Sequence, residues 1–305
     1  MTTPTIPPRT LVDVFDQFRL EYFPDKTPGT RYVYQCFFLR TLAQLGNVPL
    51  EALTPDLLRT WMTDLARRHK PGSVRAYMKM LAGVLETAVE DWHWLEENPL
   101  RKVRKPPAPR GRVRFLTTDE RLRLLAACQQ SPNTMLYPFV VVFLGTGGRK
   151  NEVLRLRWSE VDLERGLVRF LQTKNGDSRT VPVLGDALML LKQLAELRES
   201  GVEWVFPDVT GRKPKFLEFH WKRARAQAGL DDFHVHDLRH TYASYCAMSG
   251  ASLADIAALL GHKTLQMTIN YTHLLQSHTR GVVARMHDQF LTPPPEEDPT
   301  HGEGQ

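Results

Sequence analysis

The stretch Leu167–Val183, LVRFLQTKNGDSRTVPV, reads as two short strands, Leu167–Thr173 and Ser178–Val183, folded about Lys174–Asn175–Gly176–Asp177. The Asn-Gly pair supplies the positive φ that a tight hairpin turn needs. Everything around it is patterned for helices. Upstream, Thr117 or Thr118 followed by Asp119 and Glu120 caps a helix through about Gln129, and the apolar run Leu136–Leu144 fits a buried helix or a buried strand. Downstream, helices are expected at about 186–199, 215–228, 237–249, 252–260 and 264–275. One hairpin among so many helices predicts a mainly helical α+β domain with a small antiparallel sheet over 115–291.

The first hundred residues carry no comparable strand pair. Leu11, Val14, Phe15, Phe18 and Tyr22 recur at helical spacing and stop at Pro24, and a second helix runs from about Thr30 to Leu45 before Gly46–Asn47. Thr54–Pro55 opens a third as N-cap and first-turn proline, with Leu57, Leu58, Trp61 and Leu65 on one side. A fourth spans Ser73 to about Trp92, and Asn98–Pro99 ends it. Residues 1–100 are therefore expected to form a helical domain of their own.

Between the two lies a segment, 101–114, with Arg101, Lys102, Arg104, Lys105, Arg110, Arg112 and Arg114 and no acid, interleaved with Pro106, Pro107 and Pro109. Such a stretch makes a poor core and a stiff linker. Fully extended, Lys102–Val113 would cover roughly 40 Å, enough to hold two domains well apart.

Composition narrows the class. The chain has 40 Lys and Arg against 34 Asp and Glu, a net charge of +6. Four of those acids, Glu296, Glu297, Asp298 and Glu303, sit in a proline-rich tail, 292–305, that reads as disordered, so the rest is more basic than the whole and suits a polyanion. Cys36, Cys128 and Cys246 stand far apart with no CxxC pair, which fits neither a disulfide framework nor a zinc cluster and points to a reducing cytoplasm. No apolar signal core opens the sequence and no window is long enough to span a membrane, so a cytoplasmic protein without a membrane partner is expected.

Reactive side chains gather at the ends of elements in the second domain. In Gly145–Thr146–Gly147–Gly148–Arg149–Lys150–Asn151–Glu152, a glycine-rich turn brings Arg149 to a helix start, three residues from a Glu152 able to hold it. The spacing is not that of a P-loop. Lys174 sits at the hairpin tip. His236 and Arg239, within His234–Val235–His236–Asp237–Leu238–Arg239–His240, both face one ligand from a helix start. A zinc pair of His236 and His240 competes with this, but it lacks the glutamate of HExxH and any nearby cysteine. Gly261 ends an apolar helix and leaves His262 at a corner, and Tyr271 follows nine residues later. Taken singly, each residue has a plain structural role, solvated arginine or tethered core tyrosine.

As a set they do not. Arg149, Lys174, His236 with Arg239, His262 and Tyr271, carried by TGGRKNEVLRLRW, LQTKNGDSRTVPV, HVHDLRHTYAS and LLGHKTLQMTINYTH, closely resemble the active-site pattern of the tyrosine recombinase (phage integrase) family. The resemblance covers about 115–290, and the helical module resembles, less specifically, the family's SAM-like core-binding domain.

The resemblance implies that Tyr271 attacks a DNA phosphodiester, giving a 3′-phosphotyrosyl enzyme and a free 5′-hydroxyl. The bond energy is conserved, so no cofactor and no metal is expected. It implies Arg149 and Arg239 as clamps on the non-bridging oxygens, His262 as a further donor, Lys174 as general acid, and His236 as base or proton acceptor. Candidate DNA contacts are Arg75 and Lys79 on the fourth helix, Arg101, Lys102, Arg104 and Lys105 in the linker, and Lys215, Lys222, Arg223 and Arg225 in the catalytic domain. Most of these are expected on phosphates.

Family members act as tetramers, so a homotetramer on double-stranded DNA with short inverted-repeat sites is expected. Residues 276–291, with Val282, Val283, Met286 and Phe290 on one side of a helix, would reach a neighbouring protomer or pack on their own domain. Because the helical module begins almost at once, an additional arm-binding domain is not expected. Two rivals remain open: a type IB topoisomerase-like enzyme that relaxes DNA, and a DNA-binding regulator without turnover.

Overall fold

The structure, a computed structural model, describes residues 8–107, 114–171, 178–208, 210–212, 214–275 and 279–291. It divides into two compact units, Met1–Arg110 and Gly111–Gln305.

The first unit holds α1 (Leu11–Tyr22), α2 (Pro28–Leu45), α3 (Pro55–Arg68) and α4 (Pro71–Glu90). Local chemistry sets their starts. Thr10 and Asp13 form a reciprocal capping box, Thr27 and Thr54 accept from the first turns of α2 and α3, and prolines open α2, α3 and α4. The apolar stripes then meet: Phe15 stacks on Phe38 with centroids 4.1 Å apart, and Leu58, Trp61, Leu65, Met78, Leu81 and Leu85 close the core. Residues 101–103, grouped by charge with the linker, pack on this unit instead. Asn98 donates to the Ala82 carbonyl and Glu86, and Leu100 and Val103 are buried. An apolar residue at every third position outweighs the charges between them.

The second unit is built around α6 (Leu136–Thr146), whose Leu136, Phe139, Val140, Val142 and Phe143 are almost wholly buried. The apolar run is thus a helix, enclosed by α5 (Thr118–Gln129), α8 (Gly185–Glu196) and α10 (Asp237–Met248). A three-stranded antiparallel sheet, β1 (Val161–Asp162), β2 (Leu167–Phe170) and β3 (Arg179–Pro182), lies in strand order 1-2-3. β3 is shorter at both ends than the expected Ser178–Val183, the turn-side end of the expected Leu167–Thr173 strand lies partly outside the described residues, and β1, only two residues long, has no periodicity by which to foresee it. Pairing sets Phe170 opposite Arg179 and Val168 opposite Val181. Arg179 therefore shares the inward face with Val181.

The remaining elements are α7 (Lys150–Leu154), α9 (Glu218–Gln227), α11 (Leu253–Leu260), α12 (Thr272–Leu275) and α13 (Thr279–Phe290). The continuous helix expected at 264–275 is not formed. That stretch is a 3₁₀ turn at Leu265–Met267, a second at Ile269–Tyr271, and only then α12. Its threonines divert it: the buried Thr268 hydroxyl bonds His262 at 2.8 Å, and Thr272 donates to the Ile269 carbonyl at 2.7 Å.

Candidate active site

Arg149 enters the site because α6 ends in a turn that only glycine can make. Gly147 has φ +59°, and a Cβ there would lie 2.2 Å from the Tyr242 ring; one on Gly148 would lie 2.6 Å from Val153. Arg149 then caps α7. Its backbone N–H donates to Glu152 Oε2 at 2.9 Å and its Nη1 to Oε1 at 2.7 Å.

The same carboxylate holds Arg179, whose Nη2 lies 2.7 Å from Oε2. Burial works to raise the Glu152 pKa, but the bonds from Arg179 and Arg149 overcome it and hold it below the usual carboxylate value. Arg179 also lies over the Phe170 ring at 4.6 Å, and its Nη1 is buried with no partner among the described residues. Sequence reasoning missed Arg179. The available signal was a charge at an inward position of β3.

Arg239 is buried, with Nη1 on the Gly147 carbonyl at 2.9 Å and Nη2 on the Leu260 carbonyl at 2.7 Å. Burial, then Arg149 and Arg179, pulls its pKa down to about 10. These bonds complete a pattern at the end of α11. Three successive carbonyls, Leu259, Leu260 and Gly261, receive Arg179 Nε at 3.0 Å, Arg239 Nη2 at 2.7 Å and Arg149 Nη2 at 3.3 Å. The last carbonyls of a helix have no partner inside it and carry its negative end. Here they gather three like charges.

Gly261, with φ +65°, turns the chain past that end, and the next side chain is His262. Partial burial and the three arginines push His262 down to about 4, so it is neutral at pH 7. His236 caps α10. Its pKa is lowered by desolvation of the ring and by His240, Arg239 and Arg149. A cleft of 480 Å³ opens beside it, lined among others by Arg149, Lys150, Arg155, Arg157, Trp204 and His236.

Tyr271 is 2% exposed, packed with Ala243, Ala247, Ile256 and Leu260. Burial pushes its hydroxyl up to about 12, against the pull of Arg239. That hydroxyl shares a 2.6 Å hydrogen bond with Nδ1 of His240, a residue considered from sequence only as a zinc ligand. His240 meets His236 edge-on, with ring centroids 5.4 Å apart. Among the described residues no group of three or more His, Cys, Asp or Glu converges as metal ligands. Lys174 lies outside the described residues, as do the hairpin turn 174–177, Arg110, Arg112 and the tail 292–305.

The expected DNA contacts divide. Lys79, Arg104, Lys105, Lys215 and Arg223 are exposed. Arg101 pairs with Glu86 and Glu90, Lys102 with Glu97, and Lys222 with Glu218. Arg75 donates to the Pro106 carbonyl, and Arg225 turns inward to the Phe233 carbonyl at 3.2 Å.

The phage integrase family model matches residues 114–278, more than half of the chain. The chain belongs to the phage integrase family. Among curated members it is 34% identical over 203 residues to the shufflon-specific DNA recombinase of Escherichia coli, covering 66% of this chain and 51% of that one. It is 32% identical over 255 residues to the tyrosine recombinase XerC of Xanthomonas campestris pv. campestris (strain B100), covering 81% and 75%. The chain spans about half the length of some of these relatives: 51% of the shufflon recombinase and 56% of the Salmonella phage P22 integrase.

Two solved structures share the fold. The Tn1549 transposon integrase, in complex with a circular intermediate DNA, matches with a TM-score of 0.73 at 17% identity over 90% of this chain and 99% of that one. A lambda integrase dimer bound to a core site matches with 0.71 at 22% identity over 85% and 97%. No described helix is long and apolar enough to cross a membrane.

Proposed function

We propose that this chain is a site-specific DNA recombinase that cuts and rejoins strands through a 3′-phosphotyrosyl link at Tyr271. The observation that carries the reading is Arg239: a buried guanidinium whose hydrogen bonds go to carbonyls, beside Arg149, is a cation waiting for an anion. A phosphodiester supplies one. Arg149 and Arg239 would take its non-bridging oxygens, a loss of either donor costing on the order of 3 kcal/mol in the transition state. His262, neutral at pH 7, is able to donate one further hydrogen bond, and His236 stands at the mouth with Arg149. Lys174 is assigned as the acid that protonates the leaving 5′-oxygen.

The first unit is proposed as the core-binding domain, with 104–114 as the strap to the catalytic domain 115–291. Lys79, Arg104, Lys105, Lys215 and Arg223 are the exposed candidates for phosphate contact, while the paired or inward Arg75, Arg101, Lys102, Lys222 and Arg225 would have to exchange partners. The substrate is proposed to be double-stranded DNA with short inverted repeats, met in the cytoplasm. A homotetramer is supported by α13, where Val283, Met286 and Phe290 stand 54%, 43% and 71% exposed. One solved relative, lambda integrase, is a tetramer bound to a Holliday junction.

The test is a denaturing gel with nicked suicide DNA carrying candidate inverted repeats. Wild type should give a slow covalent band and Tyr271→Phe none, with equal DNA binding. A band surviving in Tyr271→Phe, or none in wild type despite tight binding, would overturn the proposal, the latter in favour of a regulator without turnover.

A further inference from the structure

The nucleophile's hydroxyl needs somewhere to send its proton. Tyr271 is withdrawn from water, so solvent is a poor recipient, and burial makes a free phenolate costly at neutral pH. The resemblance assigns the task to His236. In the structure His236 stands at the start of α10 and lines the cleft with Arg149, on the side where the phosphate would lie. One helical turn later, on the same helix, His240 places Nδ1 2.6 Å from the Tyr271 oxygen. The 3₁₀ turn bearing Tyr271 and the following α12 both pack on α10, so this pairing belongs to the fold of the unit.

We infer that His240 is the proton acceptor for Tyr271 in strand cleavage and the proton donor back to it in rejoining. The inference rests on the recombinase reading. With Nδ1 unprotonated, the phenol donates to His240 before reaction. As the tyrosine oxygen bonds to phosphorus, its proton passes to Nδ1 and the bond from phosphorus to the 5′-oxygen breaks. The leaving oxygen takes a proton from the general acid, assigned above to Lys174. On rejoining, the 5′-hydroxyl attacks, loses its proton to that same base form of Lys174, and the departing tyrosine oxygen recovers its proton from His240.

Arg149, Arg179 and Arg239 set a positive field around α10, which Glu152 offsets in part. The two histidines divide the work: His236 on the phosphate side, His240 on the nucleophile side.

The experiment is single-turnover formation of the covalent adduct on suicide DNA by full-length wild type, His240→Asn, His240→Ala and Tyr271→Phe, with DNA affinity measured alongside. Asparagine keeps a hydrogen-bond acceptor near the Nδ1 position but cannot hold the proton. Both His240 variants should bind DNA normally and form adduct about 100-fold or more slowly. Added imidazole should speed His240→Ala in proportion to its concentration. The wild-type rate should fall on the acid side with a limb that His240→Asn lacks. His240→Asn reacting within a few-fold of wild type, or keeping that limb, would reduce the contact to a positioning one and overturn the inference, leaving the recombinase reading intact. No adduct from wild type would overturn both. The asparagine variant also decides the matter if alanine at this half-buried position does not fold.

Discussion

Arg179 donates from Nη2 to Oε2 of Glu152 at 2.7 Å, across 27 residues of sequence, and so shares its carboxylate with Arg149. Both side chains of the Arg179–Glu152 pair are at least nine-tenths buried. The pair fixes β3, the strand leaving the hairpin, against the helix that presents Arg149. Removing the charge from Glu152 would strand two guanidiniums. Glu152→Gln is expected to lose about 3 kcal/mol or more of stability, read as a lowered urea midpoint, and to slow cleavage more than it weakens DNA binding. An unchanged midpoint would show that the carboxylate's charge is not needed.

Arg239 poses the opposite case. Its folded pKa lies below the ordinary arginine value, so its charged form is a burden on the free protein at neutral pH. An anion should relieve this. Sulfate or inorganic phosphate is expected to raise the melting temperature of wild type and to have clearly less effect on Arg239→Met. Equal stabilisation of both would mean that the arginine does not bind the anion.

Two glycines separate space from backbone strain. Gly147→Ala meets both a positive φ and the Tyr242 ring, and should cost about 2–5 kcal/mol while displacing Arg149 and abolishing adduct formation. Gly185, at φ +56°, has nothing within 4 Å of a Cβ, so Gly185→Ala should cost about 1–2 kcal/mol and leave activity alone. Denaturation curves for the pair check the contrast.

Stability should decline in two stages as the pH falls. The His262 pKa is depressed to about 4, so the unfolded state binds its proton first, and stability falls as pH drops from 6.5 toward 4. Glu120, held at about 2 chiefly by Arg114, contributes stability present above 4.5 and lost as pH falls toward 2. His262→Gln should reduce the slope of the upper stage, leaving the share that His236 contributes, and should not alter the lower one. Guanidinium titrations at stepped pH would show an unaltered upper slope if the assignment is wrong.

Arg225 and Lys79 should respond differently to alanine. Lys79 is exposed, and its loss should reduce the slope of log affinity against log salt by about 1. Arg225 is spent on the Phe233 carbonyl, and its loss should lower stability instead. A salt slope changed by Arg225→Ala would mean that it turns outward on DNA.

Much of this was legible in advance. The caps at Thr54 and Thr117, the hairpin strands and the order of Arg149, His236, Arg239, His262 and Tyr271 are local signals or short patterns. What escaped was long-range. Arg179 takes its partners 27 and 80 residues away, and His240 meets Tyr271 across 31. Periodicity tells which face turns inward but not which distant charge or hydroxyl waits there. The broken stretch at 264–275 was misread because its apolar spacing is helical, while threonine hydroxyls competing for backbone and for His262 leave no trace in that spacing.

The three arginines at the end of α11 are held by main-chain oxygens, and this decides where the lineage of such a site is free to wander. Replacing Leu259 or Leu260 with another apolar residue changes what fills the core but deletes no acceptor, since every amino acid brings the same carbonyl. At this end their spacing follows peptide geometry, with Glu152 adding a side-chain anchor for Arg149 and Arg179. Neutral drift through the helix is affordable; Gly261 is the exception, because its left-handed turn leaves no room for a side chain beside Arg179. Within α11 and its cap, the fragility falls on that one codon.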